Sequence, residues 1–189
     1  MADLNQAKNI GGVGAILTIL SVVPSVGPVL SIVGLVLVLL ALKWISEIVQ
    51  NPAIFRNALI AVVVAIVGVA IGAVVGGVGV FSVLTGVGAG GPNGMDFARL
   101  FTTIIIALVV VWLFAVVSAV FFRRSLNLTG DHLNVKMFRT AGLLVLIGAV
   151  LTIVIVGAVI SLVANILLAV AFFQIRASPP PPPPPPPSS

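Results

Sequence analysis

The sequence predicts an all-α membrane protein of about six transmembrane helices, with helical hairpins at both ends. Three observations carry this. Residues 9–42, 57–95, 100–122 and 140–175 form four stretches of 34, 39, 23 and 36 residues without a formal charge. All nine Lys and Arg and all four Asp and Glu lie at the borders of these stretches or in the short segments between them. Finally, 60% of the chain is hydrophobic and only 7% is charged. A soluble domain carries charge on about a quarter of its residues, so this chain lacks the polar groups to cover a surface in water. A bilayer crossing takes about 20 apolar residues.

The first stretch is too long for one pass. A helix of its length would measure about 51 Å against a hydrocarbon core of about 30 Å. Pro24, Gly27 and Pro28 interrupt its middle, and proline removes a helix hydrogen bond and biases its predecessor away from helix. A hairpin is the expectation, with helices near 9–23 and 27–48. The two central stretches read as single crossings near 57–82 and 98–122. The last stretch has no proline but echoes the first. Gly14–Ile19 matches Gly148–Ile153, and Gly27–Ser31 matches Gly157–Ser161. In the same register Val33, Leu37, Ala41 and Ile45 meet Val163, Leu167, Ala171 and Ile175. A second hairpin turning near Val154–Ala158 follows, with helices near 139–155 and 158–176.

With six crossings, Lys8, Lys43, Arg56, Arg123, Arg124, Lys136, Arg139 and Arg176 share one side, and only Arg99 takes the other. Short loops rich in Lys and Arg stay in the cytoplasm. The reading is therefore a multi-pass cell-membrane protein with both termini cytoplasmic. The N-terminus does not read as a cleaved signal: Asp3 offsets Lys8, and the apolar run lacks a small-residue cleavage site. Residues 1–177 form the helical domain and 178–189 a polyproline tail. The net charge of +5 serves orientation rather than nucleic-acid binding, since no basic run is interleaved with aromatics.

Chemistry is sparse. Cysteine is absent, which excludes disulfides, thiolate metal sites and thiol nucleophiles. None of the four uncharged stretches contains Asp, Glu, Lys, Arg or His, whereas ion-coupled transport and proton relays use ionisable groups at depth. Neither cofactor nor enzymatic activity is expected. Gly68, Gly72 and Gly76 recur four apart, with Ala61 and Ala65 on the same face. This spacing lets helix backbones approach closely, within the chain or against a second copy. The polar groups at depth are Ser31, Thr102, Thr103, Ser118, Thr152, Ser161 and Asn165. Serine and threonine can bond their own helix backbone; Asn165 is expected to bond another helix.

Gly86–Gly94 reads as an external loop, with Asp96 and Arg99 set to pair beyond it. Arg123–Arg139 reads as an inner loop that carries the only histidine, His132, solvated beside Asp131. Leu133, Met137 and Phe138 would let this loop lie along the inner membrane surface. The sequon Asn127–Thr129 would then lie inside, unused. Nine prolines, Pro179 to Pro187, form a stiff rod about 28 Å long. Pro179, Pro183 and Pro187 mark it as a candidate docking tail for a cytoplasmic partner.

The segments Ala41–Ser46, Asn51–Leu59, Phe122–Leu128, Phe138–Leu151 and Ala171–Phe173 resemble the family of archaeal integral membrane proteins known as domain of unknown function 996. The tail and the glycine-rich loop depart from it. The resemblance implies a polytopic archaeal membrane protein and carries over no catalytic or binding residue. Ser46 and Asn51–Phe55 are its marked segment, and capping by Asn51 with Pro52 at the first helical position accounts for much of it. The preferred expectation is a non-enzymatic scaffold or accessory subunit that packs against other membrane subunits or itself. The alternative is a small transporter or channel for an uncharged solute.

Overall fold

The computed structural model describes residues 3–21, 26–85, 97–152 and 156–176. Six helices lie within them, with no strand among the described residues: α1 (Leu4–Leu20), α2 (Gly27–Ile48), α3 (Pro52–Leu84), α4 (Phe97–Leu133), α5 (Lys136–Leu151) and α6 (Val156–Phe173). Neither end stretch is one rod. α1 and α2 pack on each other, as do α5 and α6. The reversals themselves fall partly on residues 22–25 and 153–155, outside the described residues. Pro24, Gly86–Gly94, Asp96 and the proline tail also lie outside them, and with Asp96 the expected pair with Arg99.

Helix-to-helix contacts run α1–α2, α2–α3, α3–α4, α4–α5, α5–α6 and α6–α1. Helices adjacent in the chain are therefore adjacent in space, and the last closes on the first. Among the described residues only α2 and α4 touch across this ring. The α2–α3 seam is its thinnest, apart from that one crossing.

Among the described residues, three helices are long and apolar enough to cross a membrane: Gly27–Ile48, Pro52–Ser82 and Leu100–Leu133. α1, α5 and α6 have 17, 16 and 18 residues, about 24–27 Å at 1.5 Å per residue. The outward faces of α3 and α4 suit lipid: Val69, Val74, Phe81, Phe101 and Leu108 are all exposed.

Three boundaries differ from the sequence expectation by about five residues or more, the first being α1, which begins at Leu4 rather than near 9. α3 begins at Pro52 rather than near 57, because Asn51 caps it. The Asn51 side-chain oxygen accepts from the Ala53 N–H at 3.1 Å, and Pro52 starts the helix with no N–H to satisfy. α4 does not stop where its apolar run stops. It continues through Arg123 and Arg124 to Leu133, so most of the expected inner loop is helix. Leaving the bilayer ends no helix by itself, and residues 123–133 contain no proline. The break comes at Asn134, whose φ of 53° is left-handed, a conformation asparagine tolerates better than most. Gln50, with φ 54°, ends α2 in the same way.

The α3–α4 pair is a continuous antiparallel zip. Ser125 Oγ donates to the Ile54 carbonyl at 2.7 Å, and seven residues earlier Ser118 Oγ donates to the Ala61 carbonyl at 2.8 Å. Ser118 thus bonds across helices rather than to its own backbone. Farther along, a methyl added at Gly68 would collide with Phe114, one at Gly72 with Val111, and one at Gly79 with Thr103. At Gly76 it would touch Ala107 at an ordinary 3.4 Å.

At the charged end lies the tightest core: Phe138, Phe172, Leu42, Ile45, Ile54, Leu126 and Ile175 are fully buried. The Phe138 and Phe172 rings meet edge to face at 5.1 Å. Phe138 therefore does not lie along a membrane surface; Leu133 and Met137 pack against the same cluster. The α4 extension fastens this end. Thr129, the last residue of the sequon, is buried in it and donates to the Ser125 carbonyl at 2.9 Å. Asp131 pairs with Arg139 at 3.5 Å.

Candidate functional site

All six helices, with the residue capping α5, contribute to one cavity of about 400 Å³. Its walls include Val38 of α2, Ala61 and Ala65 of α3, Ala119 of α4, Val145 of α5 and Leu168 of α6. Five polar side chains join them: Thr18, Ser118, Thr152, Ser161 and Asn165. Four of these are among the polar groups read at depth from sequence. Thr18 was not, and its signal was available: it stands at the position of Thr152 in the internal echo.

The echo is structural. Thr18 Oγ1 donates to the Gly14 carbonyl at 3.0 Å, and Thr152 Oγ1 donates to the Gly148 carbonyl at 2.6 Å. Leu35 and Val38 line the cavity from the first hairpin; their equivalents thirty positions past one hundred, Asn165 and Leu168, line it from the second. Each hairpin also has a close approach at its first matched glycine, to partners about one turn apart in the echo register. A methyl at Gly14 would meet the α2 backbone at Gly34 and Val38, and one at Gly148 would meet Ser161 of α6. Both hairpins hence present the same face to the cavity. The second hairpin contributes more: Asn165 stands where the first has Leu35, and Ser161 lines the cavity whereas its counterpart Ser31 does not.

Asn165 does not bond another helix as expected. Its Nδ2 donates to the Ser161 carbonyl, one turn back on α6, at 2.9 Å. The Asn165 Oδ1 has no protein donor among the described residues. The three bonded hydroxyls each spend their proton on a carbonyl, leaving their oxygens as acceptors. The Ser161 hydroxyl makes no side-chain hydrogen bond among the described residues and can donate or accept, so the polar part of the wall offers more acceptors than free donors. It suits a solute that brings its own O–H or N–H.

The cavity has a bottom and a side. Toward the charged end the buried Phe138–Phe172 cluster fills the ring. At the α2–α3 seam two cavity-lining residues, Leu35 and Ile66, remain 38% and 62% exposed. Each lies about 20 Å along its helix from the α2–α3 turn, at matched depth.

The segment marked by resemblance forms that turn. Ser46 Oγ donates to the Asn51 carbonyl at 2.8 Å, and the Asn51 N–H returns to the Ser46 carbonyl at 3.0 Å. His132 Nδ1 faces the Leu128 carbonyl at 2.8 Å, so it donates and leaves Nε2 to accept from Asn51 Nδ2 at 3.3 Å. His132 is thus a clasp between the end of α4 and the cap of α3, not a free loop side chain. Among the described residues no three His, Asp or Glu side chains lie close enough to share a metal ion. Gly68, Gly72 and Gly76 sit apart from the cavity, along α4.

This ring with an acceptor-lined apolar cavity defines a class: an all-helical protein compatible with a multi-pass membrane location. The chain belongs to the family of proteins of unknown function DUF996, whose model matches residues 30–166. It is 34% identical over 174 residues to an uncharacterized protein of Methanocaldococcus jannaschii, covering 92% of this chain and 93% of the relative. No solved structure matches.

Proposed function

We propose that this protein is a small membrane carrier for an uncharged solute, and that the cavity is its binding site. The solute has an apolar body and a hydrogen-bond donor. The observation that carries this reading is the cavity built by all six helices, apolar except for a cluster of acceptors. Its volume lies within the range of small-molecule sites. The buried aromatic cluster at one end favours a carrier over an open channel, and the α2–α3 seam offers a way in from lipid. The absence of ionisable groups from the wall favours a neutral solute and a non-enzymatic role. A scaffold recruiting partners through the glycine stripe is less well supported, because Gly68 and Gly72 are spent on α4.

The carrier reading includes six crossings with the charged end in the cytoplasm. Its support is that Lys8, Lys136 and Arg176 line one groove, and that the α2–α3 turn is clasped to the end of α4 beside them. In this cysteine-free chain, single cysteines at Ala2 and Gln50 are expected to resist an impermeant thiol reagent added outside intact cells. One at Thr85 is expected to react. Labelling of Gln50→Cys from outside would overturn the orientation.

Binding is tested on purified protein with Trp112 as reporter, in a Trp44→Phe background. Trp112 Nε1 donates to the carbonyl of the cavity residue Ala149 at 3.1 Å. Cyclohexanol is expected to bind about 5–10-fold more tightly than methoxycyclohexane, which lacks the donor. Ala119→Phe, which fills the cavity, is expected to abolish the response, and Asn165→Leu to erase the preference for the alcohol. Equal responses from the filled variant and the parent would sink the reading. Proteoliposomes whose flux of the alcohol is unchanged by Ala119→Phe would leave a receptor in place of a carrier.

A further inference from the structure

We propose that the groove at the charged end of the ring binds the phosphate head group of an anionic phospholipid from the adjoining leaflet. The groove is distinct from the solute cavity and measures about 1010 Å³. Three cations from three separate elements line it: Lys8 of α1, Lys136 at the start of α5, and Arg176 just beyond α6. Asn5, Asn134 and Gln174 add amides.

No acidic side chain lines the groove. The chain has only four acids, and the described ones are engaged. Glu47 pairs with Lys43 at 3.9 Å, Asp131 with Arg139 at 3.5 Å, and Asp3 accepts from the Asn5 amide at 3.4 Å. Lys8, Lys136 and Arg176 make no ion pair among the described residues. Three like charges brought together repel one another, and a chain this poor in charge has placed a third of its cations here. An external anion offsets that repulsion.

The start of α5 adds to the field. Its N-cap is Val135, which supplies no side-chain acceptor, and its first turn carries no acid. The Phe138 N–H bonds the Val135 carbonyl at 3.2 Å, and the remaining N–H groups of that turn leave partial positive charge beside Lys136.

The remaining lining favours a lipid over a soluble anion. Leu133 and Phe173 present apolar surface beside the cations, Phe173 being 44% exposed, while Val135 and Ile175 are buried behind them. A phosphate alone would leave this apolar surface uncovered, whereas a glycerophospholipid covers it with its glycerol and first methylenes. Basic grooves between helices at the cytoplasmic face suit such head groups.

The test uses the full chain in a neutral detergent. Thermal unfolding is followed by tryptophan fluorescence while phosphatidylglycerol, phosphatidylcholine or inorganic phosphate is titrated, and bound lipid is counted by native mass spectrometry. The groove variant is Lys8→Gln/Lys136→Gln/Arg176→Gln. The control, Lys43→Gln/Arg56→Gln/Arg124→Gln, loses the same charge from residues that do not line the groove. Phosphatidylglycerol is expected to stabilise the parent and the control equally, within threefold in apparent affinity. The groove variant is expected to bind it at least tenfold more weakly. Single Lys136→Gln and Arg176→Gln variants, at exposed positions, are each expected to lose about threefold, which keeps the test open if the triple variant does not fold. Equal loss in the control, or equal binding of phosphatidylcholine, would overturn the proposal. Stabilisation by inorganic phosphate that matches the lipid would assign the groove to a soluble anion instead and overturn it equally.

Discussion

Phe172→Ala is expected to lower the unfolding free energy by about 3–5 kcal/mol, the range for deleting a buried aromatic ring. Phe172 is fully buried, its ring stands edge-on to Phe138 at 5.1 Å, and the α1 backbone at Gly11 lies directly against it. Three helices thus share one ring, and removing it leaves a void among them. The full cost applies because this cluster lies at the charged end, between Lys136 and Arg176, where the unfolded reference is wet. Inside hydrocarbon the transfer part would shrink, since lipid is as apolar as the core. Phe138→Ala is expected to fall in the same range, and the double variant to reveal a coupling of about 0.5–1.5 kcal/mol for the ring pair. Phe101→Ala, 62% exposed on the outer face of α4, is the contrast, with an expected change below about 1 kcal/mol. Denaturant titration in detergent, read by far-ultraviolet circular dichroism, measures all four. A Phe172→Ala loss under about 1 kcal/mol would mean that the cluster is not the lock described.

The second large effect is steric. Gly68→Val is expected to cost about 3 kcal/mol or to prevent recovery of folded protein, because a side chain there drives into the Cβ of Phe114, an atom tied to the α4 backbone. Gly77→Val, nine residues on, is expected to be neutral within about 0.5 kcal/mol, since nothing lies within 4 Å of its position. Both substitutions put the same residue into the same helix, so propensity and hydrophobicity cancel in the comparison. Gly72→Ala provides a size exchange. Its new methyl meets only the far branch of Val111 closely, so Gly72→Ala/Val111→Ala is expected to recover most of what Gly72→Ala loses. Equal melting of the Gly68→Val and Gly77→Val proteins would show that α3 does not pack on α4 through this face.

Much of the helical plan was legible before the structure. The bounds of α2, Gly27 to Ile48, coincide with those expected, because Pro28 permits only the first turn of a helix and Glu47 closes an apolar run. The end of α4 was not legible. Hydropathy drops at Arg123, and a reading by hydropathy stops there, whereas the hydrogen-bond ladder continues until Asn134 turns left-handed. The same limit hid the role of Ser125. Its side chain is short and polar in a stretch that read as loop, and only the packed α3 backbone makes it a buried donor. The cavity was half visible. Ser118, Thr152, Ser161 and Asn165 could be picked out as polar residues in apolar surroundings, but nothing local said that they face one space.

The division has a physical cause. Charge and hydropathy act residue by residue against water and lipid, so their pattern along the chain alone determined that this is a helical chain suited to a bilayer, folded back on itself at both ends, with its cations gathered together. Whether Asn165 turns to its own helix or to a neighbour, which glycines meet α4, and that six helices close into a ring around a cavity depend on distances between residues remote in the chain. Those are set by how small and large side chains fit across helices, and only the tertiary structure decided them.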